Sequence, residues 1–159
     1  MRLTDDGLET HLSRVADLLE RYGLELDSPG HSLTIDEVAA ARRLTVRASP
    51  PGGPSSGAVI EVRETWSGDG TGSFERSEYA YELLDHERNF RRAFHLHFPD
   101  WFERRFLVVV HEHCERPIGT APCEHFEGTP IKDAFAGVVA LIGAWTDEPP
   151  DCSTLRCLE

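Results

Sequence analysis

The chain has 159 residues, 40% of them hydrophobic, which suits one domain with its own core and is too short for two comfortable ones. Its 28 acidic residues against 16 basic ones give a formal charge of −12, a field that opposes DNA and anionic lipid and confines any RNA contact to a local basic patch. The longest apolar run, residues 134–145, is about half of what a membrane span needs, and the acidic start with Asp5, Asp6 and Glu9 does not read as a signal peptide. No DNA and no membrane partner is expected, and the chain reads as a cytoplasmic protein whose cysteines are reduced thiols or metal ligands.

Thr4 followed by Asp5 and Asp6 is a helix start, a capping hydroxyl and then acids that suit the positive end of the dipole. Leu8, Leu12, Val15, Leu19 and Tyr22 recur at helical spacing, and Gly23 supplies the stop. Residues 27–31 read as a turn, and Thr34-x-x-Glu37 as a capping box that opens a short helix to about Arg43. From Leu44 the period becomes two. Leu44, Val46 and Ala48 make one strand face, residues 49–57 a Pro/Gly loop, and Ala58, Ile60, Val62 and Trp66 the next strand face.

Tyr79, Tyr81 and Leu83 alternate with Glu78, Ala80 and Glu82, a stripe that reads as core. A tight connection at residues 85–88 leads to a strand with Phe90, Phe94, Leu96 and Phe98 on one side and Arg91, Ala93, His95 and His97 on the other. The run from Arg104 to Val110 reads as a doubly buried strand ending in His111-Glu112-His113-Cys114. Thr129-Pro130 caps a last helix with a stripe of Phe135, Val138, Val139, Ile142 and Trp145. The expected fold is α+β: a four- to five-stranded antiparallel meander, an N-terminal helical region and a C-terminal helix packed on the sheet. Residues 1–146 form the domain and residues 147–159 a polar tail, in which Cys152 and Cys157 stand isolated.

The chemistry concentrates in the histidines. Residues i and i+2 of a strand share a face, so His95 and His97 lie together beside Arg91, and His111 lies with His113 on the following strand. If those strands are neighbours, four imidazoles meet in one patch. Imidazole changes charge near neutrality, so His95, His97, His111 and His113 suit general acid and base catalysis, and Arg91 suits a phosphate. That is the equipment of metal-free RNA cleavage through the 2′-hydroxyl. A second reading takes His111, His113, Cys114, Cys123 and His125 as candidate ligands of a tetrahedral zinc ion in a non-catalytic binding or interaction module. The nine residues from Cys114 to Cys123 are not the spacing of Cys-x-x-Cys knuckles.

The order of motifs resembles the toxin of the TumE/TumA toxin–antitoxin pairs. The counterparts are Tyr79-Ala80-Tyr81-Glu82, the turn Asp85-His86-Glu87-Arg88, Arg91-Arg92, His111-Glu112-His113, and Phe126-Glu127-Gly128-Thr129-Pro130 leading to the helix around Phe135. The resemblance covers residues 74–145. It implies a growth-inhibiting ribonuclease toxin with RNA as substrate and an antitoxin protein as partner.

Overall fold

Thr4 does cap the first helix, α1 (Asp5–Arg21): its hydroxyl accepts from the Gly7 amide at 3.3 Å, and Gly23 leaves the helix with φ of 79°. Leu8, Leu12, Val15 and Leu19 form its buried stripe. The computed structural model describes residues 2–27, 33–38, 40–51, 57–97 and 100–159. Most of the expected turn at residues 27–31, much of the loop at residues 49–57 and Phe98 lie outside the described residues.

Among the described residues nine strands form one antiparallel sheet: β1 (Arg2–Leu3), β2 (Glu25–Leu26), β3 (Leu33–Val38), β4 (Ala41–Ser49), β5 (Ala58–Gly68), β6 (Phe74–Asp85), β7 (Phe90–Leu96), β8 (Val110–Glu115) and β9 (Phe126–Glu127). From β4 to β9 the spatial order follows the chain, so a meander is present but longer than the four or five strands expected. β2 and β3 share the outer edge of β4, and β1 pairs with the start of β6. Helix α1 and the last helix, α3 (Ala134–Thr146), cover one face of this sheet, with Leu8, Leu12, Leu44, Val46, Ile60, Tyr81, Val138 and Leu141 in the core between them.

Several expectations are corrected. The Thr34-x-x-Glu37 segment is strand β3, not a helix, because pairing with β4 sets Asp36 opposite Arg43 and Glu37 opposite Arg42 and overrides the local capping signal. Arg104 and Arg105 close a short helix, α2 (Asp100–Phe106); Leu107 breaks it with φ of 59°, and β8 begins only at Val110. The cap of α3 is Asp133, which accepts from the Ala136 amide at 2.9 Å, not Thr129. The buried stripe of α3 is Ala134, Gly137, Val138, Leu141 and Ile142, while Val139 is half exposed. Gly137 is needed there, since a methyl group would run into the Tyr81 ring.

The terminal residues are not a detached tail. Cys152 is bonded to Cys114 and Cys157 to Cys123, so the four cysteines are neither free thiols nor ligands. Glu127 and Leu158 amides donate to Arg156 and His125 carbonyls, fastening this segment to β9. In a chain-entropy account, closing loops of 38 and 34 residues contributes about 4 kcal/mol each.

A charged group sits inside the helix-covered face. Glu64, at the same strand parity as Val62 and Trp66, is 2% exposed. Its carboxylate accepts from His11 at 2.8 Å, Trp66 at 3.1 Å, Arg76 at 3.0 Å and Tyr81 at 2.6 Å. A bulge opposite Thr65 and Trp66 places an extra residue, Ser77, in β6 and turns Arg76 onto this inner face. Burial raises the pKa of Glu64, but the bonds from His11 and Tyr81 and the Arg76 charge outweigh it, so the carboxyl titrates below its ordinary value.

Candidate metal centre

The face of the sheet turned away from α1 and α3 carries the histidines. Tyr81, which meets α3, pairs with Phe94, so the next residue, His95, points to the opposite side. Register then builds the cluster: His95 lies directly opposite His111, and Ala93, a small residue that leaves room, lies opposite His113. His97 continues the ladder by donating its amide to the Val109 carbonyl. The loop after β8 returns to place His125 just before β9, whose Phe126 and Glu127 pair with Glu112 and His111. Gly128 passes so close that a Cβ there would stand 2.9 Å from the His111 backbone.

Four imidazoles therefore gather around a fifth. The centroid of the His111 ring is 5.2 Å from His95, 4.6 Å from His97, 5.0 Å from His113 and 4.9 Å from His125. Each outer ring stands nearly perpendicular to it, at 78° to 82°. The outer rings follow one another in an arc, with His97 to His95 at 5.8 Å, His95 to His113 at 4.7 Å and His113 to His125 at 5.1 Å. His111 is fully buried, His95 and His125 are nearly so, and His97 and His113 are partly exposed. Phe106 at the end of α2 meets the His125 ring at 5.7 Å.

Two triads within this set bring a ring nitrogen from each member within 4.8 Å of the others: His95, His97 and His111, and His111, His113 and His125. A tetrahedral ion with bonds of about 2.0–2.1 Å separates its ligand nitrogens by about 3.3 Å, so each nitrogen has on the order of 1 Å to close. Four of the five rings are held in the form that binds metal. Burial, and then the His95 and His113 rings, push His111 down to about 2. Burial, followed by His95 and Arg91, pushes His113 down to about 4. His97 and His125 are lowered as well, burial being the first cause in both. At neutral pH these rings are uncharged and keep a lone pair.

Carboxylates surround the cluster. His95 Nε2 donates to Glu82 Oε1 at 3.0 Å, which fixes its tautomer and leaves Nδ1 with the lone pair. The bond from His95, aided by the Arg91 charge, holds Glu82 down at about 2. Arg91, expected to hold phosphate, is instead bound by Glu115 and reaches Glu82 at 3.5 Å, so two carboxylates engage its charge. The sulfurs expected beside the histidines are absent from the ligand set: Cys114 lies on the helix-covered face and both Cys114 and Cys123 are in disulfides. A groove of about 220 Å³, lined in part by Arg43, Arg63 and Glu78, borders His97.

Strand parity sets the four expected histidines on one face, and register brings them together. The acid–base reading left out His125, because a loop rather than a period delivers it, and it left out Glu82, although Glu82 has the right parity one strand away. Comparison with protein-family models, with curated proteins and with solved structures finds no match.

Proposed function

We propose that this protein binds a divalent transition-metal ion through His95, His97 and His111. The observation that carries the reading is the convergence of three ring nitrogens within 4.8 Å on a buried part of the sheet. Their chemistry suits zinc, copper or nickel, because neutral imidazole is a ligand of intermediate softness. Glu82 acts behind His95 as the carboxylate that orients a ligating ring. Three protein ligands leave a fourth position for water or a small ligand, and the groove beside His97 supplies an approach. The two disulfides favour an oxidising compartment over the cytoplasm expected from the sequence. No helix among the described residues is long and apolar enough to cross a membrane.

The reading as a metal-independent ribonuclease toxin, paired with an antitoxin, rests on the shared face of His95, His97, His111 and His113 with Arg91. It is the weaker one, because Arg91 is already matched by Glu82 and Glu115 and because such a toxin works where thiols stay reduced. One experiment separates the two. Protein purified without a histidine tag and stripped with chelator is titrated with zinc by calorimetry, and its Co²⁺ form is examined for visible ligand-field bands. The expected result is a dissociation constant at or below about 1 μM, corresponding to about −8 kcal/mol, with at least one bound equivalent lost in a His95→Ala/His97→Ala double variant. Folded protein that takes up no metal, yet cleaves RNA in EDTA, overturns the metal reading in favour of the ribonuclease.

A further inference from the structure

We propose that the cluster holds a second ion, on His111, His113 and His125, so that the buried His111 imidazole bridges two metal ions. This rests on the first site and extends it.

The two triads have one member in common, and that member is the central ring of the five. An imidazole has two ring nitrogens on opposite sides, and a ring that serves two ions must have ligands grouped to either side of it. The outer rings supply such groups, because the arc runs from His97 and His95 to His113 and His125 with every plane close to perpendicular to His111. With metal–nitrogen bonds of about 2.0 Å at each end of the ring, the ions stand about 6 Å apart. A single ion cannot use all of these rings. Where the rings stand, the nitrogens that lie within 4.8 Å of one another form two triads among the described residues, not one set of five.

Negative charge offsets part of the charge of the two ions. When the second ion binds, the remaining N–H proton of His111 leaves to buffer and the ring becomes an imidazolate, a negative charge between two cations. Glu82, bonded to His95, and Glu115, on the same strand face as His113, add carboxylates on the two flanks. The chain's charge of −12 lowers the cost of concentrating positive charge here.

The test is stoichiometry, then spin coupling, on the full disulfide-bonded chain. Stripped protein is equilibrated with excess zinc, freed of loose metal and analysed for metal per chain. Two equivalents are expected in the wild type and one in His125→Ala, with the copper-loaded wild type showing far less paramagnetic resonance signal than its copper content because imidazolate couples the spins. One equivalent in wild type and in His125→Ala alike overturns the second ion while leaving the first site standing. No metal at all removes both. Two equivalents of copper with full signal overturn the bridge.

Discussion

Glu82 receives three donors on one oxygen: His95 at 3.0 Å and Arg91 and Arg63 at 3.5 Å. A carboxylate so placed does two things for His95. It fixes which nitrogen carries the proton, and its negative charge makes the other nitrogen a better donor to a cation. Glu82→Gln keeps the size and one acceptor oxygen and removes the charge. Zinc affinity, measured by competition with a chromophoric chelator, is expected to fall about 10- to 100-fold with the number of ions bound unchanged. Affinity equal to wild type would mean that Glu82 does not tune the metal site through His95. The four strand histidines and Glu82 were all legible as parity in the sequence; what the sequence lacked was the neighbour relation that turns equal parity into contact.

The buried Glu64 network ties separate elements to the sheet. His11 joins α1 to β5 through Glu64, and Arg76 joins β6 to the approach to α3 through the Ile131 and Lys132 carbonyls at 2.8 and 2.7 Å. Because the folded pKa of Glu64 lies below the ordinary 4.5, its contribution is present above about pH 4.5 and is lost as pH falls through the lowered value. Denaturant unfolding followed from pH 7 to pH 3 should show wild-type stability dropping below that point. Glu64→Gln should start about 3–5 kcal/mol lower at pH 7, from the unmatched Arg76, and run flatter in acid. Parallel profiles would place the acid sensitivity elsewhere. Helix α1, the hairpin strands and the core stripe of β6 were readable because each rests on an unbroken period. The Glu64 network was not, because a single inserted residue at Ser77 reverses the parity of Arg76, and nothing in a local pattern announces a bulge. Strand β3 is hidden for the opposite reason: a good local capping signal yields to cross-strand charge pairs.

Across the whole molecule, the two disulfides fasten the terminal segment at two different places. Cys114 lies among the core residues under the helices, 1% exposed, and its bridge to Cys152 anchors the terminal segment there. Cys123 lies two residues before His125, and its bridge to Cys157, with the Leu158 amide on the His125 carbonyl, fixes the loop that delivers the fifth imidazole. The bridges therefore differ in what they hold, although each closes a loop of similar length and should contribute similarly to stability. Cys123→Ser/Cys157→Ser and Cys114→Ser/Cys152→Ser are each expected to lower the unfolding midpoint by on the order of 10 °C. Only the first should also reduce the bound metal from two ions to one, since only it frees His125 while the His95, His97 and His111 set keeps its strands. Equal metal loss in both variants would show that the bridges act through global stability alone. Retention of both ions without the Cys123 bridge would show that β9 and the Leu158 hydrogen bond suffice to hold His125 in the cluster.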